Sequence, residues 1–306
     1  MIKVFIDGKE GATGLKLYGR LKGRPDVVLS QIPEAYRKDV SARKDYINES
    51  DVTFLCLPDD GAREAVSLIE NERVKIIDAS TAHRTENGWA YGFAELSEKH
   101  RAAIENSKRV ANAGCHASGF IALAYPLIAA GELSEDELLS CFSLTGYSGG
   151  GKKMIAEYES GTRSAYLDAP RQYGLTQTHK HLKEMQKICG LKNPPVFSPV
   201  VGDFYAGMQV SLPLFKNAEK LREIYKEHYK HSKLISVCDG NEYGGFLPAN
   251  AMAGRDDMRV FVFGNAERSV CVALFDNLGK GASGAAVQNM NVMFHLPEET
   301  GLEIGK

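Results

Sequence analysis

Cys115 is the residue whose surroundings most directly call for chemistry. It sits in Asn112-Ala113-Gly114-Cys115-His116, after the apolar run Arg109-Val110-Ala111 and ahead of an apolar stretch from about residue 117 to 130. A thiol between a strand and a helix start feels the positive end of the helix dipole, which favours the thiolate. The thiolate is the form that attacks an acyl carbon. Cys56, Cys141, Cys189, Cys238 and Cys271 lack such a setting and read as small buried hydrophobes. No two cysteines stand at metal-ligand spacing, so no metal is expected.

A cysteine nucleophile wants a general acid/base from elsewhere in the chain. Of the 8 histidines, only those in Thr178-His179-Lys180-His181-Leu182-Lys183-Glu184 are concentrated. Two apart on a helix, His179 and His181 diverge, whereas His181 and Glu184 share a face. That puts His179 at a helix start, aimed into a cleft as acid/base, with His181 and Glu184 as a supporting pair. A solvated, lysine-rich helix end is the plainer alternative. Two further segments suit anions. Asp78-Ala79-Ser80-Thr81-Ala82-His83-Arg84 offers hydroxyls and an arginine that can grip phosphate or carboxylate with two N–H groups. Ser148-Gly149-Gly150-Gly151-Lys152-Lys153 is either an anion cradle or a flexible solvated turn.

The first strand-like run, from Ile2 to Ile6, leads into Gly8-Lys9-Glu10-Gly11-Ala12-Thr13-Gly14. Between a strand and a helix, glycines at this spacing let backbone N–H groups approach a pyrophosphate; an ordinary turn is the alternative. A binder of NAD usually ends its second strand on a carboxylate for the ribose 2′-OH. Here Leu29-Ser30-Gln31 ends that run, with Arg37 and Lys38 shortly after and Glu34 between. A hydroxyl and nearby cations favour NADP, unless Arg37 and Lys38 are a solvated surface pair.

Strand-like runs at 2–6, 27–32, 52–57, 74–77 and 109–113 alternate with helical segments such as 14–21 and 61–70, which predicts a parallel sheet. Beyond residue 140 the texture turns antiparallel, with runs at 142–147 and 208–215. A hairpin joins 260–263 to 269–275 through Gly264-Asn265-Ala266-Glu267. A charged helix is expected from Ala218 to His231. The 306 residues suit about two domains. The 37 basic against 39 acidic residues give a net charge of −2 and no reason to expect a nucleic-acid partner. No apolar run reaches the roughly 20 residues of a membrane-spanning helix, and the start reads as a strand, so a cytoplasmic protein is expected.

Taken together, Gly8-x-x-Gly11-x-x-Gly14, Asn112-Ala113-Gly114-Cys115, Ser148-Gly149-Gly150-Gly151, His179-Lys180-His181-x-x-Glu184 and Asp276-Asn277-Leu278-Gly279-Lys280-Gly281-Ala282-Ser283-Gly284 resemble the shorter form of the N-acetyl-γ-glutamyl-phosphate reductase family of arginine biosynthesis. Aspartate-semialdehyde dehydrogenases are a more distant likeness. The last segment, running on through Val287-Gln288, is the most specific. Ala113 stands where the family's common form has Pro, and His116 where it often has an aromatic ring.

The resemblance implies an α/β protein with a Rossmann NADP domain over 1–115 and an α+β catalytic and dimerisation domain, mostly antiparallel, over 116–279. A C-terminal helix at about 280–306 would return to the first domain. It implies that NADPH reduces an acyl phosphate to a semialdehyde through a thioester, with Cys115 as nucleophile and His179 as acid/base. Arg84, Asn112, Ser148, Gly149, His181 and Glu184 would surround the substrate. Pro58, Ser80, Asn277 and Gln288 would join Gly8, Gly11, Ala12, Thr13, Gly14, Ser30, Arg37 and Lys38 around NADP. A homodimer or homotetramer through the antiparallel sheet is implied, with no membrane partner. A sibling reductase of aspartyl phosphate or phosphorylated aminoadipate would use the same residues. A nucleotide sensor without turnover would leave the nucleophile and histidines idle, and a thiol hydrolase would leave the glycine loop unexplained.

Overall fold

The alternation of strand and helix produces a parallel sheet in the first part of the computed structural model, which describes residues 1–240 and 243–305. Two compact units emerge: residues 1–113 with 282–302, and residues 114–281 with the segment from 303 on. In the first unit, β1 (Ile2–Asp7) is followed by α1 (Ala12–Leu21), β2 (Val27–Ser30), α2 (Val40–Asn48) and β3 (Val52–Leu55). Then come α3 (Asp59–Ser67), β4 (Lys75–Asp78), β5 (Ala90–Gly92), α4 (Glu98–Asn106) and β6 (Arg109–Asn112). The strands pair in the order β2-β1-β3-β4-β6-β5, all parallel.

A parallel sheet must be covered on both faces. On one, Val4, Ile6, Phe54 and Ile77 pack with Leu17 and Leu21 of α1 and with Val287, Met290 and Met293. On the other, Phe5, Leu55 and Ile76 meet Ile47, Ala62 and Ala65 of α2 and α3. The strand order reverses between β1 and β3, and the ends of these strands are where such sheets bind ligands.

The second unit runs α5 (Cys115–Ala129), β7 (Ser140–Gly146), α6 (Gly151–Glu159), β8 (Arg171–Gln172), α7 (His181–Cys189), β9 (Val196–Gly202) and β10 (Met208–Leu214). It continues through α8 (Ala218–Tyr229), β11 (Ile235–Cys238), β12 (Met258–Gly264) and β13 (Ser269–Phe275). The sheet order is β11-β12-β13-β10-β7-β9-β8, antiparallel except at β11–β12 and β7–β9. Gly114 and Cys115 belong with this unit rather than the first, because α5 packs on its sheet.

A π-type turn over 279–283 and α9 (Gly284–Met293) follow. The helix expected over 280–306 stops at Met293, and His295 takes a left-handed φ of +54°; Lys306, inside that expected span, lies outside the described residues.

Helix α5 is apolar almost all round and carries Pro126. Proline has no N–H, so the carbonyl of Ala122, four residues earlier, loses its helical donor. The hydroxyl of Tyr229 on α8 donates to that carbonyl at 2.7 Å, and Tyr225 donates to the next one, of Leu123, at 2.7 Å. Tyr229→Phe strands the buried carbonyl and lowers unfolding free energy by about 1–3 kcal/mol. Denaturant titration checks this, and no change would mean the carbonyl is satisfied without Tyr229.

Candidate active site

The N-terminus of α5 is built by residues far apart in the chain. Gly114 has no side chain with which to cap the helix. Glu184, buried in the first turn of α7, accepts the Gly114 N–H at 2.7 Å. Next to Cys115, the His116 imidazole is buried, with Nδ1 2.7 Å from Ser143 Oγ on β7 and Nε2 2.6 Å from the Tyr173 hydroxyl. Burial, and then the charge of His179, push His116 down to about 3. Cys115 itself is half-buried.

The loop from β8 to α7 carries Tyr173 and His179, and Gln177 fixes it. In left-handed backbone (φ +57°), its carboxamide donates to the carbonyl of Phe197 on β9 at 2.8 Å and accepts its N–H at 2.9 Å. His179 lies two residues before α7, and its Nδ1 accepts the His181 N–H at 3.2 Å. The rings of His179 and His181 stand 4.8 Å apart, and His116 is 5.7 and 5.6 Å from them. The two histidines therefore converge; their divergence applied to two helical positions, and only His181 is helical. Burial, and then Lys180, lower His179 below its ordinary 6.5, which keeps the imidazole neutral and able to accept a proton.

The depressed His116 has a consequence for stability. The unfolded imidazole takes up a proton near 6.5, whereas the native one refuses it until about 3. The stability this group contributes is present above 6.5 and is lost as pH falls toward 3. Urea midpoints measured from pH 7 to 4 decline more steeply for the native chain than for His116→Gln. Equal slopes would contradict a buried neutral imidazole.

In the same unit, Asn277 ties two loops together. Its Nδ2 donates to Ser148 Oγ at 3.0 Å and its Oδ1 accepts the Gly207 N–H at 2.9 Å. Asn277 is thus engaged within the second unit beside Ser148 and Gly149; a Cβ on Gly149 would stand 3.2 Å from its nitrogen. Asp276 accepts the N–H groups of Leu278 and Gly279, turning the chain so that Gly281 lies against Cys115. A Cβ on Gly281 would fall 3.0 Å from that of Cys115.

The first unit presents the glycine loop. Gly8 (φ +85°) lies so close to β3 that a Cβ would stand 2.3 Å from the carbonyl of Cys56, and one on Gly14 would stand 2.6 Å from the carbonyl of Gly8. Helix α1 opens at Gly11 with no side-chain cap and no acidic residue in its first turn. The N–H groups of Ala12, Thr13 and Gly14 are thereby suited to phosphate oxygens. Beside them is a cavity of about 610 Å³ lined by Gly8, Lys9, Ser30, Gln31, Arg37 and Lys38 among others. Lys9 bonds Gln31 at 3.0 Å and lies 4.6 Å over the Tyr18 ring. Arg37 pairs with Glu34 at 2.5 Å, so it is not the plain cation read from sequence. A buried Arg43, 2.9 Å from Asp7, lines the same cavity. These residues fit a dinucleotide carrying a ribose phosphate: an uncapped helix start, no carboxylate at the end of β2, and cations around the cavity.

Gly14→Ala forces a Cβ against two backbone carbonyls and costs about 1–3 kcal/mol of stability, with a raised KM for the nucleotide. Gly11→Ala, whose Cβ would have no neighbour nearer than 3.4 Å, is the control and keeps stability. Equal effects at both positions would refute this close packing.

Of the other expected site residues in this unit, Arg84 and Asn112 come together. Arg84 Nε donates to the carbonyl of Asn112 at 2.9 Å, and the Asn112 carboxamide donates to the carbonyl of Ala282 and accepts from Asn289, both at 2.9 Å. Pro58 precedes α3, and Ser80 donates to Asp78 at 2.8 Å. Gln288 donates to Glu95 at 2.9 Å and Glu298 at 3.1 Å, an engagement within the first unit. Tyr173, Arg43 and the placement of His116 were not among the sequence expectations. Tyr173 follows a strand of two residues, too short to leave a pattern.

Comparisons with known proteins match the domains of this fold. Residues 3–104 match the family described as semialdehyde dehydrogenase, NAD binding domain, and residues 115–277 match semialdehyde dehydrogenase, dimerisation domain. The chain is similar to the N-acetyl-gamma-glutamyl-phosphate reductase 2 of Nostoc sp., 46% identical over 98% of this chain and 99% of the relative. The protein of the same name from Pseudomonas putida is 43% identical over 95% and 96%. Among solved structures, aspartate semialdehyde dehydrogenase II of Vibrio cholerae, complexed with ASA, shares the fold at a TM-score of 0.72 and 16% identity, covering 96% of this chain and 98% of that one. Aspartate semialdehyde dehydrogenase of Candida albicans, with NADP, does so at 0.70 and 16%, with the same coverage. With a full-length identity of this order and both domain families matched, the chain belongs to the N-acetyl-gamma-glutamyl-phosphate reductase family of the semialdehyde dehydrogenases.

Proposed function

We propose that the chain is a cytoplasmic, homo-oligomeric, NADPH-dependent reductase that converts N-acetyl-γ-glutamyl phosphate to N-acetylglutamate semialdehyde and inorganic phosphate. The observation that carries this reading is Cys115 at the start of α5, where Glu184 accepts the Gly114 N–H and the neutral His179 packs against His116. The Cys115 thiolate adds to the acyl carbon, the carbon–oxygen bond to phosphate breaks, and a thioester remains on Sγ. NADPH, when bound, supplies the hydride that reduces the thioester carbon. His179 takes the Cys115 thiol proton as the sulfur attacks, gives it to the tetrahedral oxygen after hydride transfer, and takes it back as the carbon–sulfur bond breaks, releasing the aldehyde and regenerating the Cys115 sulfur. The Ser148–Gly149 turn, held by Asn277, offers donors to the phosphate oxygens, and Arg84 offers a guanidinium to a carboxylate.

Oligomerisation rests on the matched dimerisation domain and on Phe142, Val196 and Val270, exposed on sheet strands of the second unit. Run backwards, the enzyme reduces NADP when given N-acetylglutamate semialdehyde and phosphate, and omission of phosphate stops turnover. Turnover of aspartate semialdehyde instead would move the substrate and keep the chemistry. Folded protein that turns over neither would overturn the reading.

A further inference from the structure

We infer that Lys9, held by Gln31 and Tyr18, is the cation that reads the ribose 2′-phosphate of the dinucleotide, in place of Arg37 and Lys38. This rests on the reading of the chain as an NADPH-dependent reductase. The cavity beside the glycine loop is lined by Lys9, Arg37, Lys38 and Arg43, and the last three are either neutralised or loosely placed. Arg43 gives Nε and Nη2 to Asp7 at 3.0 and 2.9 Å and Nη1 to Glu64 at 2.5 Å, so two carboxylates already balance its charge. Arg37 pairs with Glu34, and both side chains stand largely in solvent. Lys38 is exposed on the turn ahead of α2, where screening by water and salt weakens its hold on an anion.

Lys9 differs in what anchors it. Its ammonium donates to Gln31 Oε1 at 3.0 Å and stands 4.6 Å from the centre of the Tyr18 ring on α1. An ammonium cannot accept, so the carboxamide oxygen of Gln31 must face Lys9, and its nitrogen donates to the Tyr18 hydroxyl at 3.4 Å. Lysine, glutamine and tyrosine thus close a ring in which both partners of the ammonium are neutral. The charge is held in place without being cancelled, and N–H donors remain for phosphate oxygens. Gln31 directly follows β2, the position where a binder of NAD keeps a carboxylate for the ribose 2′-OH. Here that position steadies a cation instead. Because Lys9 is ordered before the ligand arrives, binding need not fix a long, free side chain.

The test reads binding and needs no turnover. Full-length protein is titrated calorimetrically with adenosine 2′,5′-bisphosphate and with AMP, which differ only in the 2′-phosphate. Lys9→Met, which keeps an apolar stem over Tyr18 and removes the charge, lowers the affinity for the bisphosphate about thirtyfold and leaves that for AMP within about twofold. Gln31→Glu cancels the ammonium with a carboxylate and lowers the bisphosphate affinity about tenfold, whereas Arg37→Ala and Lys38→Ala each lower it less than about threefold. A preference for the bisphosphate that is unmoved in Lys9→Met overturns the inference. So does an equal loss for both ligands, which would leave Lys9 a role in holding the loop, and so does a larger loss in Arg37→Ala or Lys38→Ala. Should Lys9→Met not fold, Gln31→Glu, at an exposed position, decides by the same criterion. A parent protein without any preference for the bisphosphate would overturn both this inference and the NADPH reading. Absence of reductase activity, with the preference present in the parent and lost in Lys9→Met, would sink the functional reading and leave this inference standing.

Discussion

Cys115→Ser abolishes turnover, with kcat reduced by about four orders of magnitude or more, while the fold survives. The expected size follows from what is removed. A serine hydroxyl is almost wholly protonated at neutral pH and is a far weaker nucleophile toward an acyl carbon than a thiolate. Loss of a covalent nucleophile in other enzymes costs about this much, because the remaining site only binds. The structural cost is small, since Cys115 is half-buried and serine is nearly its equal in volume. Circular dichroism and melting temperature should match the parent, and the reverse assay gives the rate. A serine variant within tenfold of the parent would show that the acyl group is never carried on residue 115.

Glu184→Ala has the second largest effect and acts through geometry. The carboxylate is only 1% exposed and accepts the Gly114 N–H at 2.7 Å. Its removal leaves a buried backbone donor without an acceptor one residue before the nucleophile, and opens a void between α5 and α7. We expect a loss of about 2–4 kcal/mol in unfolding free energy. We also expect about a hundredfold fall in kcat, because small misplacements of a nucleophile are costly. Glu184→Gln keeps an oxygen that can accept the same N–H, so it recovers most of the stability. Denaturant titration and steady-state kinetics on both variants check this. An alanine variant as stable as the parent would show that Glu184 does not hold the start of α5.

The legibility of the site in the sequence follows physical lines. The parallel sheet could be read because each strand is a short β-branched run set against a helical one, a local pattern. Cys115 was legible for the same reason: strand, glycine, cysteine and apolar helix are adjacent in sequence. Glu184 was singled out through its spacing from His181, yet its partner is the N–H of Gly114, a pairing across 70 positions that no local pattern encodes. His116 could be named as a departure from its family, but its bonds to Ser143 and Tyr173 depend on how β7 and the loop after β8 fold onto α5. The apolar run from Lys280 to Phe294 reads as a helix and ends close to where α9 does, at Met293; the longer span of 280–306 came with the resemblance, and the left-handed turn at His295 rules it out. Asn277 shows the same limit. Its motif is the most specific in the chain, and its hydrogen bonds go to Ser148 and Gly207, loops that sequence alone does not bring together.

The central claim is that the acyl group passes through a thioester on Cys115. The most direct measurement mixes the protein with N-acetyl-γ-glutamyl phosphate in the absence of any nicotinamide and quenches in acid. Phosphate release is then counted, and the Cys115 peptide is weighed by mass spectrometry. The account predicts one phosphate released per chain in a single burst, and one N-acetylglutamyl group on the Cys115 peptide that hydroxylamine removes. No burst, or an acyl group found on any other residue, would contradict it.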